Sequence, residues 1–171
     1  MQVTKLNASC RQVDSAIHLF FEEYDIISVH CLGASGSNIL TDVAEKKKGT
    51  SWRARSQIDH NVPREDINRV FNDAWNFFKH GDRDPDGILS IDSLDTEYLL
   101  FLATLDAGEL GIRTRSMEVY QAWFVCEYPQ HFIQNFPFRD TAQRFFASQD
   151  WGDEVSSIEK ARDLLNGYIK T

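Results

Sequence analysis

Leu6, Cys10, Val13, Ile17, Phe20 and Tyr24 follow one another at alternating steps of four and three residues. Only a repeat near 3.6 residues gathers such a series on one side of a segment, because a period-2 strand scatters it over both faces. Arg11, Gln12, Ser15 and Glu22 fall on the other side, as the solvated face of an amphipathic helix requires. The chain thus opens with a helix that must bury one stripe, and the remainder has to supply its cover. Asp25 suits the N-cap of a second helix over 26–47, which keeps the stepping through Ile26, Val29, Gly33, Gly36, Leu40 and Val43. That helix ends in Lys46, Lys47 and Lys48 before Gly49: cations at the negative end of the dipole, then a C′ glycine.

The pattern recurs downstream. The polar stretch Ser51–Asn61 carries no apolar stripe and reads as a connector. Pro63 opens a third helix, with Ile67, Val70, Phe71, Ala74, Phe77 and Phe78 as a wide apolar face that Gly81 terminates. Ile88–Ile91 is at most a short extended piece, and Ser93 caps a fourth helix through Leu94, Tyr98, Phe101, Leu102 and Leu105. After turns at Gly108 and Gly111, a fifth helix carries Met117, Tyr120, Phe124 and Tyr128 to Pro129. The aromatic region Gln130–Trp151 holds one short helix over 137–146, and the capping box Ser156-x-x-Glu159 starts the last. The expectation is an all-α bundle of six or seven helices forming one domain over residues 1–171.

At 171 residues with 42% apolar and 12% aromatic content, the chain is too rich for disorder and long enough to bury a core without staples. A net charge of −8 argues against an electrostatic grip on nucleic acid or an anionic membrane. Cys10, Cys31 and Cys126 are odd in number and lack metal-site spacing, so each reads as a small buried hydrophobe. Lys5, Arg11 and Asp14 interrupt any secretory-signal core, and the longest apolar stretch, Tyr98–Leu105, falls far short of a span. These features suggest a cytoplasmic protein in a reducing compartment, with no cofactor. The aromatic surplus, including Trp75 and Trp123 off the main stripes, suggests a homodimer interface.

Three constellations bear on chemistry. Gly33-Ala34-Ser35-Gly36-Ser37 sets five small residues inside a helix. Glycine there costs about 1 kcal/mol relative to alanine, so the run implies either close helix approach or a notch for a ligand or partner. In Lys79-His80-Gly81-Asp82-Arg83-Asp84-Pro85-Asp86-Gly87, the three aspartates and Gly87 match positions 1, 3, 5 and 6 of an EF-hand loop. The bidentate glutamate of position 12 is replaced by Ser93, and Pro85 stiffens the curl, so Asp82, Asp84 and Asp86 are weak calcium candidates. A helix-terminating loop accounts for every residue: Lys79 and His80 complement the helix end and the aspartates form turns. Arg53 and Arg55 precede His60 by seven and five positions. An arginine beside a histidine is the minimum for metal-independent RNA cleavage, and seven helical residues is about two turns. A solvated polar loop is the plainer reading. His18 and His30 lie beside the first two apolar stripes and read as paired, partly buried residues of a helical hairpin; His131 supports no role.

The run Asn76-Phe77-Phe78-Lys79-His80-Gly81-Asp82-Arg83-Asp84-Pro85-Asp86, with the two helices before it, resembles a group of uncharacterised bacterial helical proteins of the kind carried on mobile gene cassettes. Similar proteins commonly have alanine at the position of Gly81 and no glycine at that of Gly87, which implies that the calcium-loop glycine is incidental. The Arg-x(4–6)-His spacing and the helical pattern are loosely similar to HEPN and abortive-infection proteins, which implies a ribonuclease using Arg53 or Arg55 with His60. The leading expectation is a non-enzymatic interaction or ligand-binding protein, presenting Lys79, His80, Asp82, Arg83, Asp84 and Asp86, with the Gly33 and Gly36 notch, to a protein or small-molecule partner.

Overall fold

The computed structural model describes residues 2–59, 63–132, 142, 146 and 155–167. Seven α-helices occur among them: α1 (Lys5–Phe21), α2 (Ile26–Lys48), α3 (Trp52–Asp59), α4 (Arg64–Lys79), α5 (Ser93–Glu109), α6 (Arg115–Glu127) and α7 (Ser157–Asn166). A single 3-10 turn, Pro129–His131, follows α6. The described residues include no strand, so the fold is an all-α bundle. None of these helices is long and apolar enough to cross a membrane.

The middle of the first stripe is buried, with Val13 and Ile17 fully enclosed and Cys10 nearly so; Leu6 and Phe20 are partly buried, and Tyr24 lies past the end of α1 and is 64% exposed. Asp25 accepts the Ser28 N–H at 2.9 Å and caps α2, which folds back antiparallel to α1. The small residues permit that return. A Cβ on Gly36 would lie 2.7 Å from Val13 Cγ2 and 2.8 Å from the Ser9 carbonyl oxygen, too close for any side chain. Three residues earlier, a Cβ on Gly33 would lie 2.8 Å from Leu100 Cδ2 of α5. The pairings His30–Thr96 and Thr41–Asp106 show that α5 runs parallel to α2. In α5, Leu99 to Ala107 are all buried. It is the central helix, enclosed on every side over this stretch, with the polar Thr104 and Asp106 buried among the apolar residues.

Helix α6 lies along α1, joined by Thr114 Oγ1 donating to Asp14 at 2.6 Å. Helix α7 crosses back over it, with Arg115 holding the Leu164 carbonyl at 2.6 Å and Trp123 Nε1 donating to Ser157. The capping box at the start of α7 is complete. Trp123 is only 2% exposed and packs against Phe20, Phe21 and Tyr120, so it belongs to the core and not beyond the stripes; Trp75 is half-buried against the same core. Much of the aromatic surplus is thereby taken up within the chain.

The largest departure from the sequence reading is α3. This polar stretch is helical because Ser51 Oγ accepts the Ala54 N–H at 3.1 Å and Asp106 of α5 accepts the Trp52 N–H at 2.8 Å. One of its start signals thus comes from a residue 54 positions away, and its inward face carries a guanidinium in place of an apolar stripe. At α5 the cap is Asp92, one residue before the expected Ser93. His18 is exposed beside Ser116 of α6, and His30 faces α5, so neither histidine lies in the α1–α2 seam. The helix expected over 137–146 lies almost wholly outside the described residues.

Candidate functional site

Arg53 and Arg55 do not face a common open surface. Arg53 is 7% exposed, donating to Asn38 Oδ1 at 3.1 Å and Ser37 Oγ at 3.2 Å, with its guanidinium over the Phe71 ring. Burial lowers its pKa, opposed by Asp106, Asp42 and Glu45 in that order. Asp106 is held in turn by the Trp52 N–H and the Thr41 hydroxyl, and burial raises its pKa against those bonds and both arginines. Together they clamp α3 to α2 and α5. Arg55 lies over Trp52 and pairs with Glu109 at 2.9 Å. His60 lies outside the described residues.

The Lys79–Gly87 segment ends α4, but Gly81 is not the left-handed cap expected there, since its φ is not positive. Lys79 ends α4 with its ammonium 5.9 Å from the centroid of Trp75, His80 is the C-cap, and Arg83 N–H returns to the His80 carbonyl. Asp82, Asp84 and Asp86 are exposed. The Asp84 carboxylate lies over Gly87, where a Cβ would approach it to 2.5 Å, and its carbonyl accepts the Gly87 N–H. No three His, Cys, Asp or Glu side chains among the described residues come together as a metal site. The faces of Gly33 and Gly36 are filled by Leu99, Leu100 and Val13, leaving no notch.

One buried polar atom is left over. His30 is 1% exposed, and its Nδ1 lies 2.9 Å from Thr96 Oγ1, but its Nε2 is buried without a partner among the described residues. A polar group left so costs about 1–3 kcal/mol, and such orphans are rare enough to call for a reason. Burial lowers the His30 pKa, so the ring is neutral at pH 7, with one nitrogen a donor and the other an acceptor. The same ring lines a cavity of about 200 Å³ with Asp73, Ala74, Leu89, Ser90, Ile91 and Asp95.

The fold explains the position. Gly33 stands one turn beyond His30 and lets Leu100 press against α2, which draws the two helices close enough for His30 to meet Thr96. Asp92 caps α5 and places Asp95 in its first turn. Burial raises the Asp95 pKa, and neighbouring Asp92 adds to the shift. Phe71 stacks on Tyr98 at 6.4 Å and docks α4 over α5, bringing Asp73 and Ala74 to the opening. The sequence shows a histidine three residues before a helical glycine, but nothing in it pairs His30 with Asp95. Comparison with protein-family models, curated proteins and solved structures finds no match to this chain.

Proposed function

We propose that this chain is a non-enzymatic, ligand-binding helical protein whose site is the cavity between α2, α4, α5 and the Leu89–Ile91 segment. The observation that carries the reading is that His30, whose Nε2 is buried without a partner among the described residues, is also one of the residues lining a cavity. A ligand atom that hydrogen-bonds there recovers what the folded protein alone leaves unmade. The cavity is smaller than the roughly 300–1,000 Å³ typical of drug-sized pockets, which favours a small metabolite-sized occupant. The ribonuclease alternative draws less support, because Arg53 is already bonded to Ser37 and Asn38, and the cavity it lines also carries Asp42 and Glu45, which repel a phosphate.

The test joins stability to binding. His30→Leu removes the orphaned nitrogen, and the Thr96 hydroxyl it releases can turn to its own helix backbone. The variant is expected to melt at or above the wild type, as happens where a binding group is kept at the expense of stability. A thermal-shift fragment screen is expected to find compounds that stabilise the wild type and lose their effect in the variant. Stabilisation that survives His30→Leu, or a screen without any stabilising compound, would overturn the reading.

A further inference from the structure

A guanidinium taken out of water ordinarily meets a carboxylate, because an uncompensated buried charge is costly. Arg53 is 7% exposed, yet its two hydrogen bonds go to the neutral oxygens of Asn38 and Ser37, and its fork carries more N–H donors than these use. The ion pairs among the described residues do not include it. Asp106, the carboxylate that acts on it most, is engaged elsewhere: Oδ1 accepts the Trp52 N–H and Oδ2 the Thr41 hydroxyl. Among the described residues, His30 Nε2 is the one side-chain nitrogen or oxygen both enclosed and unpartnered. Arg53 Nε makes neither of the two bonds, so it is not sealed in.

Arg53 lines a cavity of about 270 Å³ whose described walls come from α2, α3 and α4. Asp42 lines it from α2, is exposed, and belongs to no ion pair among the described residues. Glu45, one turn further on, lines it too and accepts the Ser51 hydroxyl. Asn38 and Asn72 add amides, and the one apolar side chain among the described lining residues is Ala54. A simple anion drawn to Arg53 meets Asp42 and Glu45, and a simple cation drawn to those carboxylates meets Arg53. A molecule carrying both charges satisfies both walls.

We infer that this cavity takes a small polar amino acid as its zwitterion: the carboxylate accepts from the unused N–H donors of Arg53, the ammonium donates to Asp42, and a polar side group meets Asn38 or Asn72. The planar fork of arginine matches a carboxylate in shape, and an ammonium has only donors to offer Asp42. The near absence of apolar wall selects against a greasy side group. The assignment stands apart from the His30 cavity and does not depend on it.

Saturation-transfer NMR on the full chain with L-serine, ethanolamine and β-hydroxypropionate tests it, since the last two lack the carboxylate and the ammonium respectively. Serine alone is expected to receive saturation. Its affinity is expected to fall about tenfold in Asp42→Asn, the size of one charge-assisted hydrogen bond, at an exposed position where the fold is kept. Arg53→Lys, which keeps the charge and loses the fork, is expected to weaken serine at least as much; if that variant does not fold, Asp42→Asn decides. Serine binding is expected to be unchanged in His30→Leu, whatever the fragment screen finds for the other cavity. No saturation of serine, or serine binding unchanged by Asp42→Asn, overturns the assignment. Ethanolamine or β-hydroxypropionate binding as tightly as serine overturns it, and so does loss of serine binding in His30→Leu, which would put the molecule in the other cavity.

Discussion

The two sides of α2 are built on different principles. Towards α1 it is dry and sterically exact: Gly36 admits the Ser9 backbone and Val13, and no space remains. Towards α3 and α5 it carries polar pairings: Ser37 and Asn38 take Arg53 of α3, while Thr41 takes Asp106 and His30 takes Thr96, both of α5. On the dry side a mismatch is a clash, whereas on the polar side it is an unmade hydrogen bond. That difference is what makes His30 Nε2 informative, because the groups buried around it are matched and it is not.

The polar side is most sharply tested at Asp106. Asp106→Ala leaves the Trp52 N–H, the Thr41 hydroxyl and the Arg53 guanidinium short of an acceptor or counter-charge. Breaking a buried pair in this way costs about 3–5 kcal/mol, which urea denaturation will show as a lowered midpoint with α3 helicity lost first. A cost below about 1 kcal/mol would mean that the junction is no more than a surface contact.

The dry side gives the next largest effect, as a contrast between two glycines. Gly36→Ala sets a methyl against the Ser9 backbone and is expected to cost about 1–3 kcal/mol by overpacking. At Gly33 the near neighbour is the end of the Leu100 side chain, which can rotate away, and alanine gains about 1 kcal/mol of helix propensity. Gly33→Ala should therefore be close to neutral by the same denaturation measurement. Equal costs at the two positions would show that backbone contact is not what distinguishes them.

The smallest effect is a pH dependence at Glu97, a buried carboxylate on α5 that accepts the Tyr128 hydroxyl at 2.5 Å. Burial raises its pKa above the usual 4.5; the Tyr128 bond works against the shift, while Glu127 and Asp92 add to it. A carboxyl whose folded pKa lies above its unfolded value gives stability that is full below 4.5 and is lost as pH rises through the folded pKa. Glu97→Gln removes this titration and keeps an acceptor for Tyr128. Its melting temperature relative to the wild type should rise from pH 4 to pH 7, and a flat difference would show that the carboxylate bears no such cost.

The elements of the bundle differ greatly in how readable they are. Asp25, the lysine-glycine end of α2 and the Ser156–Glu159 box are local signals, and each forms where its spacing places it. The α3 helix escapes such a reading because it is capped by Asp106 and turns an arginine inward, a partnership of groups distant along the chain. Trp123 escapes it because a residue beside one helix's stripe becomes core when a second helix, α7, covers that flank.

The helix-forming periodicity, the caps and the small residues of α2 are set by neighbours within a few positions, and the amino-acid order determined the all-α class through them. Which helices run together, and therefore which polar groups meet, depends on contacts between residues as far as 100 positions apart. Thr96 reaching one edge of the His30 ring while no polar group among the described residues reaches the other is a fact of that assembly, because hydrogen-bond satisfaction belongs to pairs and no single residue's identity reveals it.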